Sequence, residues 1–420
     1  MSSILSDELL GDLIAVGQVD VLVGLPTLDH ADSVGPALRA TQVAFNNHFA
    51  RERTVLLNSD GGSSDGTPEL VRQAPIADSD TLLSSHSLRT RHRISTPYHG
   101  VPGKAGAIRT IFAAADLLQA RAVAVLDPEV VSVTADSLAA LLRPVLLDGA
   151  DFVSPAYARH PLDGPLVTQV VRPMFRSTYG PRLQEPLAGE LACSGRFAAH
   201  CLASPDWDSD TLRVGIDLWL SAVAAVGSFR IAEARLGPRE LATRPRPGTA
   251  SLVSQVFEAM FSCLRLHEAS WTARASPEPV RVYGDAARAQ RSAALDPARD
   301  AVLFREGVAA LEPLLSRALR PDTLAALRAG AEAPGAVPPL SDELWAAVVG
   351  ELAVAHRRGT LSHDHLVRAA VPLYLGRVAA FAAAAAGEAE DRVERRLEEL
   401  YLQFERFRPE LVSLWTAAVR

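Results

Sequence analysis

Cysteine is scarce: Cys193, Cys201 and Cys263 are the only three in 420 residues. An odd count without zinc-like spacing supports neither a disulfide framework nor a metal knuckle, so the expectation is buried, reduced thiols in a cytoplasmic protein. A basic surplus is also lacking. Lys and Arg number 42 against 49 Asp and Glu, for a net charge of −7, which argues against nucleic acid as the main partner, since phosphate contacts need clustered cations. The first nineteen residues carry acids rather than a basic segment followed by an apolar one, so no signal peptide is expected. No uninterrupted apolar run reaches the roughly 18 residues of a membrane span, and the run Ala382 to Ala386 reads as close helix packing. No G-x-G-x-x-G follows either of the first two strand-like segments, which weighs against a dehydrogenase. Internal repeats and long heptad patterns are missing as well.

What is present is a globular composition, 48% hydrophobic and 22% charged, in a chain long enough for two domains. The boundary is expected near residue 245, where Pro245 and Pro247 precede a long stretch rich in Ala, Leu and Arg. Residues 1–245 read as α/β, and residues 246–420 as helical with an interruption at 331–339. In the first part, Asp20 to Leu25 and Thr54 to Leu57 are predicted as buried strands, with a helix over Val34 to Phe49 between them. Residues 75–97 read as polar and irregular. Phe229 to Leu236 is predicted as the last strand.

The chain is organised around Ala122-Val123-Ala124-Val125-Leu126-Asp127-Pro128-Glu129. An unalternated apolar run reads as a central strand covered on both faces, flanked by helical patterns over 105–119 and 135–147. Ligands of open α/β sheets bind beyond the carboxyl ends of the strands, where Asp127 and Glu129 fall, held apart by Pro128. Acids in that position suit a divalent cation and the sugar or phosphates of a nucleotide. The loop Asn58 to Thr67 has the glycines that allow a ligand to approach the backbone. Gly103 and Lys104 open a helix, combining free N–H groups, the positive dipole end and a mobile ammonium suited to a diphosphate.

In this order the sequence resembles the retaining GT-A glycosyltransferases of the glucosyl-3-phosphoglycerate, mannosylglycerate and mannosylglucosylglycerate synthase group. The matching stretches are LNSDGGSSDGT (57–67), PYHGVPGKAGA (97–107), VAVLDPEV (123–130), EPLAGELACSGR (185–196) and GIDLWL (215–220). The resemblance implies a Rossmann-like, nucleotide-sugar-binding mixed sheet with a C-terminal all-helical domain that helps form the acceptor cleft and a homodimer. It implies a donor site built from Leu25, Pro26, Thr27, Asp29, Asp60, Gly103, Lys104, Asp127, Pro128, Glu129, Ala188 and Gly189. Within it Asp60 reads the base, Lys104 faces the diphosphate, Asp127 contacts the ribose, and the Ala188-Gly189-Glu190 turn cups the transferred sugar. Asp217 stands near the reacting centre, and its residue type also suits a helix N-cap. Asp217, Glu190 and Lys104 are the implied catalytic residues.

Two departures from the family pattern bear on a metal. Asp127-Pro128-Glu129 replaces the usual Asp-Ser-Asp, and Leu241 falls where the family carries a metal-binding histidine. Glu129 with the diphosphate could hold Mg2+ or Mn2+, or Arg239, Arg244 and Arg246 could neutralise the diphosphate without metal; both readings stay open. The expected reaction moves a sugar from a GDP- or UDP-linked donor to a small acceptor such as glycerate or phosphoglycerate, for which Arg159, His160, Arg172, Arg176 and Arg182 supply positive charge. One alternative is a natural-product tailoring enzyme with a diverged acceptor, including a thiol, as in lincosamide S-glycosylation from a GDP-sugar. A second is a degenerate nucleotide-sugar-binding protein.

Overall fold

The computed structural model of the chain describes residues 4–73, 91–97, 103–243, 248–273, 277–285, 287 and 295–418. The chain divides into two units. The first comprises Met1–Ala158, Ala188–Arg244 and Val280–Ala289; the second comprises Arg159–Leu187, Pro245–Pro279 and Gln290–Arg420.

The first unit holds an eight-stranded sheet made of β1 (Val21–Thr27), β2 (Thr54–Asp60), β3 (Arg91–Pro97), β4 (Ala122–Val125), β5 (Phe152–Ala158), β6 (Leu191–Ser194), β7 (Ile231–Pro238) and β8 (Arg281–Tyr283). The strand order is β3-β2-β1-β4-β6-β5-β7-β8. All neighbouring pairs run parallel except β6, which is antiparallel to both β4 and β5. The expected mixed α/β sheet is therefore present. β1, β2 and β4 are buried throughout, which is why their sequences show no polar alternation. One face packs on the helices Val34–Asn47 and Ala135–Asp148, whose Ala37, Leu38, Leu138, Leu141 and Leu142 join Val21, Val23, Ala122 and Ala124 in one apolar cluster. On the other face a Cβ on Gly24 would stand 2.6 Å from Ile111. Glycine at the centre of β1 thus lets the helix Lys104–Leu117 lie directly on the sheet.

Several boundaries depart from expectation. β1 runs through Pro26 to Thr27 and β2 continues to Asp60, so the polar ends of both strands are sheet rather than loop. Residues 91–97, read as irregular, form β3 alongside β2. Among the described residues β3 stands at the edge of the sheet, a position where charged residues are common. β6 and β8 were not anticipated; each is very short, and β8 lies beyond residue 245 yet pairs with β7.

The second unit is mainly helical. Arg159–Leu187, assigned by sequence to the first domain, belongs here. Arg176 is almost fully buried and pairs with Glu398 at 2.8 Å and with Glu405. Trp345 Nε1 donates to the Gln169 carbonyl at 2.7 Å, and Arg377 Nε donates to Gln169 Oε1 at 2.8 Å. The helix His363–Ala384 is, among the described residues, the one helix long and apolar enough to cross a membrane, although polar residues break it into shorter apolar runs. Sixty-seven percent of its apolar window is buried inside the protein, as befits a core helix. All three cysteines are buried, as expected.

Candidate active site

The sheet topology decides which loops meet. Chain order reverses at β1, between β2 and β4, and such a switch point opens a crevice at the carboxyl ends of the strands. Because β6 is antiparallel, its first residue, Leu191, pairs with Val125 at the end of β4. The preceding Ala188-Gly189-Glu190 turn is thereby delivered to the same rim as Asp127.

On the β1–β2 side the loops are stitched together. Asp60 is 4% exposed. Its Oδ1 accepts from Thr27 Oγ1 at 2.8 Å and Ser63 Oγ at 2.6 Å, and its Oδ2 accepts from the backbone N–H groups of Gly62 at 2.9 Å and Ser63 at 2.8 Å. A carboxylate offers about four acceptor sites, so in this structure Asp60 organises its own loop. Asp29 takes a positive φ of 53°, accepts from Ser64 N at 2.8 Å and donates its own N–H to Ser63 Oγ at 2.8 Å. Leu25, Pro26 and Thr27 form the adjacent end of β1, in register with Asn58, Ser59 and Asp60.

Two strands away, Asp127 Oδ1 accepts from the Glu129 N–H at 3.0 Å, a turn bond across Pro128. Its Oδ2 lies 3.6 Å from Arg239 Nη2. The chain after β7 is zipped to this loop: Val131 N donates to Glu240 O at 2.9 Å, Ala242 N donates to Glu129 O at 2.8 Å, and Leu241 bridges Val130. Leu241 thus stands directly beside the acid loop, with a side chain that cannot ligate. The Arg239 guanidinium also lies over the Tyr157 ring, 5.3 Å from its centroid. Glu129 is half-exposed, with His30 Nε2 at 3.9 Å. As a seat for Mg2+ or Mn2+ these residues fit poorly: the outward oxygen of Asp127 faces a guanidinium, and Glu129 is the one other carboxylate of the motif.

The third group converges from three elements. Lys104 is the first residue of the helix Lys104–Leu117, after Gly103. Its Nζ lies 2.8 Å from Asp217 Oδ1 and 3.0 Å from Oδ2, and donates to the Gly189 carbonyl at 3.1 Å. Asp217 does not open its helix as expected. The helix starts at Asp210 and breaks at Gly215 (φ −130°, ψ 29°), which places Asp217 in the first turn after the break. A Cβ on Gly189 would stand 2.4 Å from Asp127 Oδ2 and 3.0 Å from Lys104 Nζ. The three groups therefore share one small space that no larger residue at 189 would leave open.

Electrostatics follow from this packing. Burial works against the charged Lys104, yet Asp217 and Asp127 outweigh it and raise its pKa, so the ammonium persists at neutral pH. Burial raises the pKa of Asp217 against the opposing pull of Lys104. Glu190 is 2% exposed and accepts from the Tyr157 hydroxyl. Burial, reinforced by Asp127, pushes its pKa up to about 7, against Tyr157, Arg239 and Lys104. Tyr157 carries no signal in the sequence; a tyrosine in a strand is ordinary, and only the fold shows its hydroxyl on Glu190.

The arginines expected to serve an anionic acceptor lie in the helical unit, where the side chains of Arg159, Arg172 and Arg176 are engaged. Arg159 donates to Glu185 Oε1 at 3.1 and 2.8 Å, and Arg172 donates to the Gln184 carbonyl at 2.8 and 2.6 Å. Arg176 has Glu398 and Glu405, and His160 lies 4.0 Å from Glu390. Arg182 donates its backbone N–H to Glu278 O at 3.0 Å. Residues 98–102 of the PYHGVPGKAGA stretch, with Arg244 and Arg246, lie outside the described residues.

Among the solved structures that this chain resembles are two phosphoglycerate synthases. Glucosyl-3-phosphoglycerate synthase from Mycobacterium tuberculosis, in complex with Mn2+, UDP and glucosyl-3-phosphoglycerate, is 19% identical. The match covers 63% of this chain and 85% of that one, with a TM-score of 0.41. The same enzyme with Mn2+, UDP-glucose and phosphoglyceric acid matches over the same shares at a TM-score of 0.40. Mannosyl-3-phosphoglycerate synthase from Rubrobacter xylanophilus is 18% identical over 61% of this chain and 77% of that one, with a TM-score of 0.41. No protein-family model matches the sequence, and no curated protein matches it significantly.

Proposed function

We propose that the chain transfers a glycosyl group from a nucleotide-diphosphate sugar to a small acceptor, with retention at the anomeric carbon. The observation that carries this reading is the gathering of two cations, Lys104 and Arg239, with Asp127, Asp217 and the bare backbone of Gly189 at the carboxyl rim of the sheet. In such a transfer the bond from the anomeric carbon to the phosphate oxygen breaks. The leaving diphosphate gains negative charge while the sugar becomes oxocarbenium-like. Donors and cations aimed at that charge supply most of the barrier lowering. Lys104 serves as a point charge steered by Asp217. Arg239, held by Asp127 and Tyr157, presents a planar fork to phosphate oxygens. Gly189 leaves room for the sugar ring beside both, and Asp217 and Glu190 orient its hydroxyls or the acceptor.

The proposal assigns Arg239 the charge that a divalent cation holds elsewhere, so the reaction proceeds without added metal. UDP-glucose is the first donor to test and GDP-mannose the second, which covers the two nucleotides expected from the sequence. Glycerate and phosphoglycerate are the first acceptors to test, and a thiol-bearing metabolite is the alternative. Calorimetric titration with UDP, UDP-glucose and GDP-mannose in EDTA, followed by NMR of the product anomer from pooled acceptors, tests the whole reading. Saturable nucleotide binding with an α-linked product from an α-linked donor is expected. No nucleotide binding with or without Mn2+ would sink it.

A further inference from the structure

We propose that Glu258, His356 and His363 form a binding site for a zinc-class divalent cation in the helical unit. Glu258 lies on the helix Thr249–Leu266, His356 in the last turn of Asp342–Arg358, and His363 at the first position of His363–Ala384. One ligand atom from each falls within 4.8 Å of the others. His356 Nε2 is 3.2 Å from both carboxylate oxygens of Glu258, and His363 Nδ1 is 3.9 Å from Oε1. Two ligands on one tetrahedral zinc, each bonded at roughly 2.0–2.2 Å, stand a little over ~3 Å apart, so the His356–Glu258 edge already has coordination length.

The surroundings resemble those of a built site. His356 is 1% exposed, with Phe261 against its ring at 5.5 Å and His363 stacked on it at 3.7 Å with 24° between the planes. Its Nδ1 has no hydrogen-bond partner among the described residues, while Nε2, the nitrogen beside Glu258, is the one placed to ligate. Ser262 Oγ donates to Glu258 Oε1 at 3.0 Å, the kind of outer contact that fixes a ligating carboxylate. His363 and Glu258 are each about one-third exposed, so both can turn inward and a cation can enter. The stacked His363 ring must rotate to aim its lone pair, whereas His356 stays in place.

Two imidazoles with one carboxylate suit zinc, and also cobalt and nickel, rather than magnesium or calcium, which take oxygen ligands. Three protein ligands leave a fourth position for water. Bound there, the ion clamps three helices and the turn at Gly359–Ser362. The opposing charge is Arg265, which acts on His363.

The test uses the untagged full chain after EDTA and gel filtration. Zinc titration by calorimetry is expected to give one tight equivalent and a raised Tm, and cobalt is expected to give the visible bands of a tetrahedral site. His363→Ala and Glu258→Gln, both at half-exposed positions, are expected to weaken zinc by about tenfold or more each, with metal-free Tm close to wild type. Nucleotide affinity stays unchanged in both, which separates this site from the sheet rim. No zinc binding above background, or equal affinity in His363→Ala, would overturn the proposal.

Discussion

Lys104 Nζ and Asp217 Oδ1 stand 2.8 Å apart although 113 residues separate them in the chain. Each side chain is about one-quarter exposed, so the pair can be reached by a ligand. Its importance lies in aiming the ammonium. Lys104→Met and Asp217→Asn are each expected to lower kcat/KM by about 100- to 1,000-fold. The double variant should lose less than the product of the two, because partners in one unit are not additive. Circular dichroism should show the fold intact. Near wild-type turnover in both single variants would remove this pair from the site.

Gly189 gives a sharper test because nothing but space is changed. An added methyl group meets Asp127 Oδ2 at 2.4 Å and Lys104 Nζ at 3.0 Å. Both are ends of flexible side chains, so the protein should fold, at a cost of about 1–3 kcal/mol. The two polar groups must nevertheless part. Gly189→Ala is therefore expected to weaken donor binding by at least about tenfold while Tm falls only a few degrees. Unchanged affinity for UDP-glucose would show that the sugar binds elsewhere.

Much of this rim was legible in the sequence because its residues sit at strand ends and helix starts, where local chemistry leaves marks. Asp127, Pro128 and Glu129 follow an unbroken apolar strand, and Gly103-Lys104 opens a helix as expected. Lys104, Asp127, Gly189 and Asp217 do come together. Asp60 is on the same rim, but its carboxylate is occupied by Thr27, Gly62 and Ser63, a network of long-range and loop contacts that no motif displays. The Asp127–Arg239 pair and the Tyr157–Glu190 bond depend on the strand order β4-β6-β5-β7, set by tertiary packing. The short strands β6 and β8 escaped because three or four residues carry too little periodicity.

Arg239 makes the metal question measurable. Its guanidinium faces Asp127, and the following residue pairs bind the acid loop through Val131 and Ala242. If this arginine supplies the charge, EDTA leaves UDP affinity and turnover unchanged. Arg239→Met, which keeps the apolar stem but no charge, weakens UDP by about 10- to 100-fold, since charge-assisted bonds contribute roughly 1.5–3 kcal/mol. Loss of activity in EDTA with full recovery in Mn2+ would instead assign the charge to a metal at Glu129.

Glu190 should give the site a pH signature. Its pKa in the folded chain is about 7, raised from 4.5 first by burial and then by Asp127, and only partly restrained by the Tyr157 hydroxyl, Arg239 and Lys104. Folding therefore favours the protonated acid. That contribution is complete below the unfolded value near 4.5, fades as pH rises, and is gone above about 7, a swing of roughly 3 kcal/mol. Glu190→Gln keeps the size and a donor for the site but cannot ionise. The stability of wild type relative to Glu190→Gln, taken from urea midpoints between pH 5 and pH 8, should fall with rising pH, with the steepest change between pH 5 and 7. Titrating groups remote from Glu190 cancel in that difference because both proteins carry them. A flat difference would mean that Glu190 ionises as freely in the folded chain as in the unfolded one, and one that grows with pH that it ionises more readily there; either would overturn the raised pKa.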